Sequence, residues 1–150
     1  MATIRLAPDF KEFLQLLNSG KIEYLVVGGY ALGYYGHPRA TGDIDIWVAI
    51  RPDNADRLVA ALQKFGFGPR DVVPDMFLRE KQVIRMGVPP LRIELFTTIS
   101  GVDFATCYAR RTRGIVDGID VNFINLDDFK SNKRAAARVK DLSDLEQLGT

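Results

Sequence analysis

The stretch LVVGGYALGYYGHPRATGDIDIWV, residues 25–48, limits the possible folds of this chain more than any other. It opens on an apolar, β-branched run that two glycines end, and closes on Asp43-Ile44-Asp45-Ile46-Trp47-Val48, where acidic and apolar residues alternate. Period-two alternation is the signature of a strand, because successive side chains point to opposite faces. Asp43 and Asp45 therefore share one face, and Ile44, Ile46 and Val48 share the other. Two like charges on one face repel, and a carboxylate near a core loses hydration, so the pair needs a cause. A solvated edge strand is one and neutralisation by arginine is a second. The third is a metal ion, since Mg²⁺ takes oxygen ligands, is held by one or two carboxylates, and completes its shell with water and substrate phosphate.

Helical and strand periods alternate around this stretch. Phe10, Phe13, Leu14 and Leu17 stand at helical spacing over residues 8–18, with Ser19-Gly20 as the stop, and residues 22–29 predict a buried strand. A short helix opens at the glycines. Ala55, Leu58, Val59, Ala61, Leu62 and Phe65 share one helical face over residues 53–65, which Gly66 ends. Strands are expected at 75–79, 82–86 and 91–97, and a helix at 103–110. GIVDGIDVNFI, residues 114–124, predicts a hairpin, because Asp117-Gly118 suits a two-residue type I′ turn. The tail from Leu126 to Leu148 predicts one or two helices. Such an order implies an α/β (α+β) fold, a mixed sheet with helices packed mainly on one face.

A third carboxylate belongs with the first two if a metal is their cause. Glu94 supplies it, as the one acid in the apolar strand from Leu91 to Phe96. Strict alternation with Ile93 and Leu95 would equally let Glu94 point outward. Gly28 and Gly29 lie where a buried strand gives way to a helix, a place where backbone N–H groups can receive phosphate and a side chain would obstruct it. His37 before Pro38 reads as a loop residue, and Cys107 as a small side chain that packs. Tyr30, Tyr34, Tyr35 and Trp47 read mostly as core, with one tyrosine able to stack on a base.

Bulk properties exclude several classes. The 150 residues suit one domain, 1–150, with a real core. Lys and Arg number 20 against 19 Asp and Glu, and the net charge of +1 gives no general pull toward nucleic acid or an anionic membrane. A single cysteine excludes an internal disulfide, and no apolar run approaches the ~20 residues that span a bilayer. A cytoplasmic location without membrane attachment is the expectation.

Gly28-Gly29, Asp43-Ile44-Asp45 and Ile93-Glu94-Leu95, in that order, resemble the signature of the nucleotidyltransferase superfamily that includes DNA polymerase beta-like and minimal nucleotidyltransferase proteins. The tail NKRAAARVKDLSDLEQL, residues 132–148, is similar to the Lys…Arg-x-Lys-Asp-x-x-Asp helix of bacterial AbiEii-like nucleotidyltransferases, through Lys133, Arg138, Lys140, Asp141 and Asp144. That group contains toxins of toxin–antitoxin systems. The resemblance implies a palm-type sheet with C-terminal helices, and transfer of NMP from an NTP such as ATP to an acceptor hydroxyl with release of pyrophosphate. Asp43, Asp45 and Glu94 would hold two Mg²⁺ ions, and Lys133 would act as a mobile cation toward the triphosphate. Gly28, Gly29, Arg39, Thr41, Arg138 and Asp141 would bind the nucleotide, Arg39 by clamping a phosphate, Thr41 by supporting the loop, and Arg138 by pairing with Asp141. The acceptor can be tRNA, a protein or a small molecule, and a cognate antitoxin is the partner a toxin would have. The alternative from another class is a catalytically inactive nucleotide-binding or interaction module with the same fold.

Overall fold

The computed structural model describes residues 5–38, 41–88 and 91–149. Its elements are α1 (Pro8–Ser19), β1 (Tyr24–Val27), α2 (Gly28–Tyr34), β2 (Asp43–Val48), α3 (Pro52–Phe65), β3 (Val83–Met86), β4 (Arg92–Phe96), α4 (Phe104–Ala109), β5 (Thr112–Val116), β6 (Ile119–Phe123), α5 (Leu126–Ala136) and α6 (Val139–Leu148). The strands form one mixed sheet in the order β3-β4-β2-β1-β6-β5. β1 runs antiparallel to β2 and parallel to β6, and β2 runs parallel to β4. This mixed sheet with helices is the α+β architecture expected from the sequence.

Position in the sheet explains composition. β1 is interior and apolar on both faces, and all four of its residues are buried. β2 keeps its alternation, and Ile44, Ile46 and Val48 bury one face of it. On that side α1 presents Phe10, Phe13, Leu14 and Leu17 to the core and packs against α3. On the other face Trp47 follows the two aspartates and is covered by Phe104 of α4, edge to face at 5.0 Å, with its indole N–H donating to the Thr97 carbonyl at 3.2 Å. The acid face is therefore sealed one residue pair beyond Asp45.

One expectation fails locally. Residues 75–79 are not a strand; Pro74–Phe77 form a 3₁₀ turn with Pro74 at its start, and Phe77 is its buried residue. The tail forms two helices, as the sequence allows, because Ala137 adopts a left-handed φ of 53° and Arg138 becomes the N-cap of α6. The hairpin at Asp117-Gly118 does form, with φ values of 51° and 78° as a type I′ turn requires.

Candidate active site

The register of β2 and β4 settles where Glu94 points. Asp45 stands opposite Glu94, and Asp43 opposite Arg92, so all four side chains leave the same face. Asp45 and Glu94 are close enough to share a side-chain hydrogen bond. Two carboxyls can do so when one of them keeps its proton. Burial, followed by the charges of Glu94 and Asp43, pushes the Asp45 carboxyl up to about 7, and Lys140 opposes that shift. Its Oδ1 is buried with no hydrogen-bond partner.

Arginines hold the two outer acids. Arg92 grips Asp43 through Nε at 3.2 Å and Nη2 at 3.3 Å, and Arg85 of β3 donates to Glu94 at 3.2 Å. Repulsion between the acids is thus relieved partly by arginine, the second of the causes that the sequence offered. Among the described residues no three His, Cys, Asp or Glu side chains are drawn together tightly enough to hold a metal ion. The donor set nevertheless fits a hard divalent cation: its members are carboxylates on one face, and the orphaned Asp45 oxygen is a ligand atom without a donor.

Gly28 is required by Asp45. It has φ +67°, and a Cβ there would stand 2.2 Å from Asp45 Oδ2. The space that the sequence assigns to phosphate above Gly28 is therefore occupied by a carboxylate. At Gly29 a Cβ would meet Thr41 Cγ2 at 3.2 Å, and the Thr41 hydroxyl donates to the Asp43 carbonyl at 3.2 Å. Gly28 lets β2 itself, and Gly29 the loop before it, lie close to the start of α2. Gly28→Ala should cost about 1–3 kcal/mol through the left-handed backbone and the clash, and should displace Asp45 as well. Urea denaturation reads the first effect, and unchanged stability would contradict this packing.

The tail reaches the same place. A cleft of about 720 Å³ is lined by Gly28, Gly29 and Asp45 together with Lys133, Arg138 and Lys140. Lys133 is not a mobile cation, however. Its side chain is 5% exposed, and its ammonium bonds Asp141 at 3.2 Å and Asp144 at 2.9 Å. Asp141 also accepts from the Arg138 backbone N–H and from its Nε at 2.7 Å, which closes the α6 N-terminus. Burial works against the Asp141 charge, but the hydrogen bonds from Arg138 and Lys133 outweigh it and hold the carboxyl below its usual range. Arg138 and Lys140 remain largely exposed at the cleft. They are the exposed tail cations of the cleft lining.

Arg39 lies outside the described residues. His37 is a loop residue whose backbone N–H donates to Leu32, and Cys107 is buried, its thiol pushed up to about 12 by burial and then by Asp128. Arg92, Arg85 and Lys140 are the site residues that sequence reasoning did not assign. Arg92 was readable, two residues before Glu94 on the same strand, whereas Arg85 depends on the β3–β4 register.

No family model matches the chain, and no curated protein does. Crystal structures do, among them the following two. A "putative nucleotidyltransferase" from Thermotoga maritima matches with a TM-score of 0.60 over 93% of this chain and 87% of its own, at 14% identity. An "antigenic nucleotidyltransferase-like protein" from Paracoccidioides brasiliensis matches with a TM-score of 0.54 over 95% and 75%, at 19% identity. At such identities the likeness establishes the fold, which is that of nucleotidyltransferase-like structures. Among the described residues no helix is long and apolar enough to cross a membrane.

Proposed function

We propose that the chain is a nucleotidyltransferase that moves NMP from an NTP to an acceptor hydroxyl. The observation that carries this reading is the Asp45–Glu94 pair beside Asp43, with Asp45 lining a cleft that Arg138 and Lys140 also line. The acceptor oxygen forms a bond to the α-phosphorus while the bond to the bridging oxygen breaks, and pyrophosphate leaves. Arg138 and Lys140 offset the charge of the phosphates. The hydroxyl proton passes to Asp45, whose carboxyl burial pushes up to about 7. Asp43, Asp45 and Glu94 would hold Mg²⁺, which when bound spreads the triphosphate charge and acidifies the attacking hydroxyl. Lys133 and Asp141 act as positioning residues that fix the start of α6.

The AbiEii-like assignment is a finer proposal and rests on the tail motif. With it come a toxin role, a cognate antitoxin, and tRNA, protein or a small molecule as acceptor. Pairing of Asp43 and Glu94 with arginines favours the second reading, a nucleotide-binding module without turnover. Incubation with each α-labelled NTP, Mg²⁺ and a cell extract separates the two. Transfer requires label on an acceptor and release of pyrophosphate; binding with no labelled acceptor for any NTP would favour the silent module.

A further inference from the structure

A second cleft, of about 630 Å³, opens at the other end of the sheet. Its wall includes Ile22, just before β1 begins, whereas Asp45 pairs with Val27 where β1 finishes. The two clefts share no lining residue. Lys21, Arg111 and Arg113 line the second one, against a single carboxylate, Asp120. Among the described residues none of these three cations is in an ion pair, which is unusual for cations gathered around one cavity.

Arg111 gives the cleft its chemistry. Its guanidinium lies 4.0 Å over the Tyr108 ring, and Nη1 donates to the Tyr108 carbonyl at 2.9 Å. The Nε is buried and has no acceptor. A guanidinium anchored in this way is already immobilised, so an anion that meets its open edge need not pay to order it. Lys21 projects from a turn in which its own N–H donates to the Asn18 carbonyl, and Arg113 stands on the edge strand β5. Three cations facing one carboxylate leave an excess of two positive charges, which matches a phosphate dianion better than a lone carboxylate. Exposed Ile115 lies beside them and offers apolar surface for the organic part of the ligand.

We infer that this cleft is a second, non-catalytic site that takes a phosphate group carried by a nucleotide or by a nucleic-acid strand. The site stands whether or not the chain transfers nucleotidyl groups. Backbone amide NMR shifts test it, with inorganic phosphate in one titration and a single-stranded oligouridylate in another. Saturable shifts are expected at Gly114, Ile115 and Asn122. Affinity should fall by about tenfold or more in Arg111→Gln/Arg113→Gln, since each lost contact is a charge-assisted hydrogen bond. Lys21→Asn/Arg113→Gln leaves the Arg111 anchor intact and should show a fall as well, so the result does not hinge on a variant that folds poorly. Much tighter, salt-sensitive binding of the oligomer identifies a strand as the source, and equal affinities identify a single phosphate group such as a mononucleotide carries. Shifts confined to Gly28, Asp45 and Lys140, or an unchanged affinity in Lys21→Asn/Arg113→Gln, would overturn the site.

Discussion

Asp45→Asn should fold at least as well as the wild type at pH 8 and should transfer almost no label. In the folded chain the Asp45 carboxyl titrates near 7, because burial and then Glu94 and Asp43 disfavour its charge, against 3.8 ordinarily. A proton held more tightly by the folded state favours folding fully below the ordinary value, and that contribution is lost as pH rises through about 7. Above that pH the buried charge costs of the order of 2–4 kcal/mol. Asparagine keeps the shape and removes the charge. The wild-type melting temperature should therefore drop from pH 5.5 to pH 8 by more than that of the variant. Mg²⁺ should restore the wild type at pH 8 and do little for Asp45→Asn. Activity should fall by roughly 10²–10³-fold or more, the scale of a lost electrostatic contact in a transition state. Identical pH dependence of melting in the two proteins would mean that Asp45 is not the group that titrates.

The other large effect is expected at Lys133. Removing its ammonium leaves Asp141 and Asp144, each 1% exposed in its side chain, without their shared cation. Breaking a buried pair in this way costs about 3–5 kcal/mol. Lys133→Ala should thus destabilise the α5–α6 junction strongly, and transfer should suffer because Arg138 and Lys140 are carried by the start of α6. Asp141→Ala disturbs the same cluster, so the double variant should be less than additive. The depressed Asp141 carboxyl adds a pH signature: its contribution is present above the ordinary 3.8 and is lost as pH falls through the lower folded value. Urea denaturation of both single variants and the double variant at several pH values reads the stabilities, and the labelled-NTP assay reads transfer. Full additivity, or lost transfer in Lys133→Ala with undiminished stability, would return Lys133 to the role of triphosphate ligand.

These two sites show what was legible in the sequence. The Asp-Ile-Asp alternation and the Phe10, Phe13, Leu14, Leu17 spacing are local patterns set by one element's own geometry, and both hold. Residues 75–79 misled because Met76, Phe77 and Leu78 form a short apolar run in which period cannot separate strand from turn, and Pro74 decides for the turn. The point at which the tail divides was hidden for another reason. Ala135, Ala136 and Ala137 are strong helix formers, yet the helix breaks there, with Asp141 capping Arg138 and bonding Lys133 across the break. Arg85 on Glu94 and the second cleft arise from pairings distant in sequence, which no local window contains.

The central claim is that Asp43, Asp45 and Glu94 together bind a divalent cation alongside an NTP. Mn²⁺ in place of Mg²⁺, added with a non-hydrolysable NTP analogue, tests it through paramagnetic broadening of backbone amide resonances. Broadening centred on Gly28, Asp45 and Glu94, dependent on the analogue and absent in Asp45→Asn, is the predicted result. Broadening centred elsewhere, or equal broadening in Asp45→Asn, would contradict the account.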